Sequence, residues 1–286
     1  MPQGRSSLGS AESFMNQAAF ISFNGTLYPE NQPCLPTTDR GFLFGDGLFE
    51  TMRVSQGTVP LLERHYQRFT HGCQVLRSPL PDFDILHDAI KAILEANHLQ
   101  EGSLRLSFSR GPGPRGLSLP PHPSPSLLLT TAPIPQSHPT PIRLALSHQH
   151  RRDERSILCR VKSLNALPAI LARMDAQERG ADDALMLNYK GTIAEASSAT
   201  FLTYWKGSYL TPPLEDGALP GVSRARLLEK GLCYEHTLAP DMIQNVEGAW
   251  LITALSVTPI ASIDTYPIPL RTDMTETLRD ILYGAP

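Results

Sequence analysis

DRGFLFGDGLFETMR, Asp39 to Arg53, is the stretch from which the rest of the chain can be read. Its apolar residues come in short runs broken by glycine and aspartate, as does FISFNG before it. The block from Phe20 to about Val59 therefore reads as short strands joined by tight turns, one of them at Asn24-Gly25. In LFETMRV, apolar and polar residues alternate over Leu48, Thr51, Met52 and Val54, the period of a half-buried strand. Gly45-Asp46-Gly47 is a turn and no nucleotide fingerprint, because neither a G-x-G-x-x-G nor a GK[ST] continuation follows.

Moving outward, LLERHYQRFTHGCQVL sets Leu62, Tyr66, Phe69, Cys73 and Leu76 at spacings of three and four, and DFDILHDAIKAILEANHL does the same with Ile85, Ala89, Ile90, Ile93 and Leu94. Both predict amphipathic helices. SLRLSFSRG and SPSLLLTTAPI return to strand patterns, separated by GPGPRGLSLPPHPSP, too rich in Pro and Gly for a regular element. APIPQSHPTP is stiffened by its prolines and is expected to link two domains. Beyond it come a strand (IRLALS), a helix (NALPAILARMDAQERG) ending at Gly180, and short strands with a turn at Lys190-Gly191. The expected organisation is a loose leader over 1–19, a small α/β domain over 20–133, a Pro-rich linker over 134–141 and a larger α/β domain over 142–286.

A chain of 286 residues is long enough to bury its own core. The net charge of -3, without a block of either sign, gives no footprint for nucleic acid or an anionic membrane, so a small-molecule ligand is expected. Cys34, Cys73, Cys159 and Cys233 are far apart, with neither zinc nor disulfide spacing, which fits a reducing cytoplasm. The first residues lack the apolar run of a signal peptide, and no run of 18 apolar residues is present for a membrane helix. His148, His150, Arg151 and Arg152 beside Asp153 and Glu154 read as a charged loop, since nothing supplies further convergent metal ligands.

Lys162, in RVKSLN, stands before a helix between Val161 and Leu164, a setting in which an amine loses solvation and becomes usable. Taken alone, a lysine so placed reads first as one that snorkels to the surface. The surrounding motifs decide between the two. DRGFLFGDGLFETMR is followed by an H-x-x-R on a helix (His65 to Arg68) and the loop RGPGPRG; then come K-x-L-N (Lys162 to Asn165), EASSATF (Glu195 to Phe201), Pro220-Gly221-Val222-Ser223-Arg224 and TALSVTP. In this order, with Lys162 and Glu195 separated by 33 residues, the set resembles the fold-type IV pyridoxal-phosphate enzymes, the class IV aminotransferases, from about Phe20 to the C-terminus.

The resemblance implies a mixed α/β fold of two domains with the cofactor in the cleft between them. Pyridoxal phosphate needs its aldehyde captured by an amine, its ring nitrogen kept protonated and its phosphate neutralised. By resemblance, Lys162 is the catalytic residue and holds the cofactor as a Schiff base, Glu195 faces the ring nitrogen, and Arg68 takes the phosphate with a guanidinium fork. The amides of Val222 and Ser223 and the Ser223 hydroxyl would meet the phosphate at a helix N-terminus, joined by Thr253 and the amide of Ala254. Each has an ordinary reading too: a solvated strand-end acid, an exposed helical arginine, a serine N-cap, a packed strand threonine.

Substrate choice within the family rests on other positions. D-Amino acid aminotransferases trap the substrate carboxylate with a Tyr and an Arg-x-His; here the corresponding residues are Phe49 and Arg115-Gly116-Leu117, so the arginine alone remains. GFLFGDGLFETMR is closer to aminodeoxychorismate lyases, and the reading favoured is elimination of pyruvate from 4-amino-4-deoxychorismate to give 4-aminobenzoate, a step of folate biosynthesis. Phe49 and Arg115 would then line the substrate, Arg115 taking a carboxylate. Thr51 reads equally as a hydroxyl beside the reacting centre or as strand packing, and Thr200 stands where many members have Asn. A transaminase for branched-chain or other amino acids or amines is the alternative, and a cofactor-binding homologue without turnover is a third. The family also implies at least a homodimer, a neighbouring subunit's loop closing the site.

Overall fold

The computed structural model describes residues 19–32, 35–134 and 140–284; most of the leader and five residues of the Pro-rich stretch, 135–139, lie outside it. The first half builds β1 (Phe20–Phe23), β2 (Thr26–Pro29), α1 (Arg40–Phe44), β3 (Gly47–Val54), α2 (Leu62–Leu76), α3 (Phe83–Ala96), β4 (Gly102–Ser109) and β5 (Ser126–Ala132). Its strands form one antiparallel sheet in the order β2-β1-β5-β4-β3.

Along β3 the two-residue period sorts the side chains. Leu48, Met52 and Val54 are buried and share one core with Phe69 and Cys73 of α2 and with Leu86, Ile90 and Ile93 of α3. Phe49, Thr51 and Arg53 alternate with them and pair in register with Ser107, Arg105 and Ser103 of β4, so this row lines the sheet face turned away from that core.

One element departs from the sequence reading. GFLF is not a strand run but the short helix α1. Asp39 caps it, its carboxylate accepting from the Gly41 and Phe42 amides, and Gly45 ends it at φ 66°. The other Asp39 oxygen accepts from the hydroxyls of Ser109 (2.8 Å) and Ser126 (2.7 Å), pinning the turn onto β4 and β5. A helix this short shows no periodicity, and only its two caps mark it.

The second half builds β6 (Ile142–Arg152), α4 (Leu167–Glu178), β7 (Asp183–Asn188), β8 (Ile193–Ala196), β9 (Thr200–Trp205), β10 (Ser208–Thr211), α5 (Val222–Glu229), β11 (Cys233–Glu235), β12 (Gly248–Ile252), β13 (Val257–Ile263), β14 (Tyr266–Pro267) and α6 (Thr272–Tyr283). They form a mixed sheet in the order β11-β10-β9-β12-β13-β6-β7-β8, with β14 on β13. The expected charged loop at His148 to Arg152 is instead the end of β6. Its charges are answered locally: Arg151 donates to the Asn188 carbonyl, and Arg152 to those of Gly217 and Cys159.

The two sheets meet where the chain between β6 and α4 docks on the edge of β3. The Phe49 amide donates to the Lys162 carbonyl at 2.9 Å, and the Leu164 amide to that of Gly47 at 3.0 Å. Gly47 permits the approach, since a Cβ there would lie 2.1 Å from the Phe108 carbonyl oxygen and 2.8 Å from Leu164.

Candidate active site

Backbone pairing with β3 places Lys162 beside Phe49. Its Nζ lies 4.3 Å from the centre of the Phe49 ring. Lys91, Lys190, Lys206 and Lys230 are all exposed, whereas Lys162 is half-buried. Burial, reinforced by the positive charge of Arg68, pulls its ammonium down to about 8, although Glu50 and Glu195 pull the other way. The free amine, which a nucleophile or proton acceptor requires, is thus far more accessible near neutral pH than that of an ordinary lysine.

Arg68 projects from α2 toward the same place. It donates from Nε to Glu50 Oε1 at 2.8 Å and from Nη2 to Oε2, while Nη1 donates to the Pro220 carbonyl at 3.1 Å. Glu50 is almost wholly buried, and His65 Nδ1 lies 2.8 Å from its Oε2. Burial pushes the Glu50 carboxyl up, but Arg68 and His65 together outweigh it and hold it at about 2. The guanidinium is therefore fixed in orientation by a permanently charged partner.

Pro220 leads into α5, whose N-cap is Gly221 with no side-chain cap and no acidic residue in the first turn. The leading amides, those of Val222 and Ser223 among them, have no partner within the helix and make an anion-receptive end. A Cβ on Gly221 would lie 2.9 Å from Thr200 Oγ1, so Thr200 defines the floor under this turn. The Ser223 hydroxyl donates to the Thr253 carbonyl at 2.6 Å, and Thr253 Oγ1 accepts from the amides of Leu255 and Ser256, each at 3.0 Å. Thr253 and Ala254 thus sit in a tight turn after β12, against the start of α5.

Glu195 closes the ring of contacts. It is buried in β8; Oε2 accepts from the Leu219 amide at 2.9 Å and Oε1 faces Arg152 at 3.0 Å. Each oxygen retains acceptor capacity for a further donor. The segment from Leu219 to Ser223 therefore touches Glu195, Arg68 and Thr253 in turn, and β3 joins Arg68 to Lys162. Among the residues singled out in the sequence, Lys162, Phe49, Arg68, Glu195, Val222, Ser223, Thr253 and Ala254 lie along this connected path. Arg115 does not: its side chain is exposed on a loop whose carbonyls at Gly116, Leu117 and Ser118 are gripped by the Arg40 guanidinium.

Two further residues of the site carry no sequence signal of their own. Glu50 lies within the GDGLFETMR motif. Arg105, opposite Thr51 on β4, lies with its guanidinium carbon 4.3 Å from the same Phe49 ring, hydrogen-bonded to Ser107 Oγ and to no carboxylate among the described residues. The alternation of SLRLSFS gives its face but not its neighbour. No cluster of metal-binding side chains occurs among the described residues.

This constellation, an amine, a guanidinium beside an uncapped helix end and a buried carboxylate, has the groups that a pyridoxal-phosphate enzyme of fold type IV requires. The chain belongs to the amino-transferase class IV family, whose model matches residues 47–263. Enzymes of this class use pyridoxal phosphate, and the chain is a pyridoxal-phosphate-dependent enzyme of the aminotransferase and lyase group. It is 28% identical to a D-alanine aminotransferase of Bacillus licheniformis over 251 residues, 85% of this chain and 88% of that one. It is likewise 28% identical to the 4-amino-4-deoxychorismate lyase of Pseudomonas aeruginosa, whose structure superposes with a TM-score of 0.79 over 93% of this chain and 100% of that one. The branched-chain aminotransferase of Escherichia coli shares the fold at a TM-score of 0.84, covering 94% of each chain at 21% identity. The residues present fit the cofactor: the uncapped end of α5 beside Arg68 suits a phosphate, and the desolvated Lys162 suits an aldehyde.

Proposed function

We propose that the chain is a 4-amino-4-deoxychorismate lyase, which eliminates pyruvate and leaves 4-aminobenzoate. The observation that carries this reading is Arg105. Its guanidinium carbon and the Lys162 Nζ each lie 4.3 Å from the centre of the Phe49 ring, so a carboxylate-binding cation stands near the reactive amine. That suits a substrate whose carboxylate and amine sit on opposite sides of a six-membered ring. The tyrosine that would trap a carboxylate on the amine-bearing carbon is replaced by Phe49.

In this reading Lys162 holds the cofactor, Arg68, Val222, Ser223, Thr253 and Ala254 hold its phosphate, and Glu195 keeps its ring nitrogen protonated. Bound pyridoxal phosphate supplies the electron sink for the pair released from the substrate C–H bond. Lys162 would take the proton from the amine-bearing carbon and return it to the departing enolpyruvate as the C–O bond breaks. Arg105 orients the ring through its carboxylate. Arg115, on its exposed loop, serves a site only if that loop reaches a second subunit.

A homodimer is part of the proposal: Leu167, Ile170, Leu171 and Met174 leave an apolar face of α4 exposed, which a second copy would cover. The division into units over 20–133 and 142–286 is proposed on the same footing, one unit per sheet. Cys73, Cys159 and Cys233 are buried free thiols, which suits a reducing cytoplasm.

The similarity to a D-alanine aminotransferase favours a second reading, transamination, in which Lys162 would carry the proton taken from the substrate carbon. Enzymatically generated aminodeoxychorismate, D-alanine, L-leucine and (R)-1-phenylethylamine distinguish the two. Release of 4-aminobenzoate and pyruvate, without conversion of the cofactor to its amine form by the amino donors, is expected. Conversion by a donor with no 4-aminobenzoate moves the assignment to an aminotransferase, and a bound cofactor inert to all four leaves a homologue without turnover.

A further inference from the structure

The last residue of α6 touches the phosphate end of the site from far away in sequence. The Tyr283 hydroxyl donates to the Thr253 carbonyl at 2.8 Å, the same oxygen that accepts the Ser223 hydroxyl at 2.6 Å. The Arg53 guanidinium, from the first sheet, lies 5.3 Å from the centre of the Tyr283 ring. Arg226 of α5 donates to the Leu282 carbonyl at 2.6 Å, and Leu278 and Leu282 pack with Leu227, Trp250 and Ile252. Tyr283 is therefore held between β3, the start of α5 and the end of β12, where it meets the two residues assigned to the phosphate.

A carbonyl oxygen has lone pairs for two donors, so this arrangement is complete while no anion is present. Ser223 owns a single hydroxyl proton, and giving it to a phosphate withdraws it from Thr253. Without a second donor, loading the site would leave the Thr253 carbonyl short of a partner in a half-buried position, and that loss would oppose binding.

We propose that Tyr283 is a positioning residue of the phosphate cup: it keeps the Thr253 carbonyl hydrogen-bonded so that the Ser223 hydroxyl is free to turn to the phosphate. The inference rests on the assignment of Ser223 and Thr253 to the phosphate. It extends the cup to the C-terminal helix, and it requires the effect of Tyr283 to depend on Ser223. When Ser223 is absent, Tyr283 satisfies the carbonyl equally with and without phosphate and contributes nothing to the difference.

The test uses the full-length protein stripped of cofactor, as wild type, Tyr283→Phe, Ser223→Ala and the double variant. Each is titrated with pyridoxal 5′-phosphate and, separately, with pyridoxal, which has no phosphate; binding is followed by protein fluorescence and folding by thermal melting. Tyr283→Phe is expected to bind the phosphorylated compound about three- to tenfold more weakly, the equivalent of one hydrogen bond, with pyridoxal binding unchanged and the apoprotein still melting in one cooperative step. In the Ser223→Ala background the Tyr283 effect is expected to vanish. Wild-type affinity in Tyr283→Phe overturns the proposal, as does an equal loss for both ligands or the same loss with and without Ser223. Failure of the wild type to favour the phosphorylated compound over pyridoxal overturns instead the phosphate cup itself.

Discussion

The two ends of the site are built on opposite principles. At the phosphate end every side chain is already held, Arg68 by Glu50 and Pro220, Ser223 by Thr253, and Thr253 by its own turn, while the leading amides of α5 are left open. At the amine end two cations, Lys162 and Arg105, share one aromatic ring, and Arg105 has no acidic partner among the described residues. The first end fixes geometry before anything binds. The second presents positive charge, with Arg105 open to solvent, that an incoming carboxylate can meet. A constant cofactor and a selected substrate call for that division, because preorganisation favours the group that stays, while an unmet charge discriminates among groups that come and go.

The largest expected effect falls on the amine end. Lys162→Ala removes both the cofactor's anchor and the proton carrier, and kcat/KM is expected to fall by at least about 10²- to 10⁴-fold. Residual activity within tenfold of wild type would break the contrast at once. Next is the wiring of the other end. Glu50→Gln leaves Arg68 and His65 buried without their carboxylate, and chemical denaturation should show about 3 to 5 kcal/mol of lost stability together with weaker cofactor retention. Stability unchanged in that variant would mean that Arg68 is not held as described.

Arg105→Gln should raise KM about 10- to 100-fold with kcat nearly unchanged, the mark of a charged hydrogen bond to a substrate carboxylate. A drop confined to kcat would place Arg105 in the chemistry instead.

The smallest effects are those of pH, and they separate the two ends cleanly. Lys162 is depressed to about 8 in the folded protein, so its charged form is disfavoured there; apoprotein stability should rise with pH between about 8 and the ordinary lysine value of 10.5, and cofactor capture should accelerate through about 8. Lys162→Met should abolish that rise. Glu50 is depressed to about 2, so its contribution is present above the ordinary value of 4.5 and lost as pH falls from there to about 2. Denaturation titrations of wild type and the two variants measure both windows.

The motifs make much of this legible from sequence. Alternation in GLFETMR is enough to set Phe49, Thr51 and Arg53 on one face, and Pro220-Gly221 announces the start of a helix. Register is not legible: only the pairing of Thr51 with Arg105 brings a second cation over Phe49. Nor is α1, too short for a period, or the exposure of Arg115, which follows from the grip of Arg40 on the loop around it. The contact of Tyr283 with Thr253 is the most distant of all, since it depends on how α6 packs on β12 and α5. Local pattern finds residues that act from their own element, and it misses those that act across elements.

The most direct test is to reduce the cofactor-loaded protein with borohydride and locate the cofactor by peptide mass spectrometry. The account predicts a single pyridoxyl group on Lys162, lost in Lys162→Ala. A label on Lys91, Lys190, Lys206 or Lys230, or no label in the presence of excess cofactor, would contradict it.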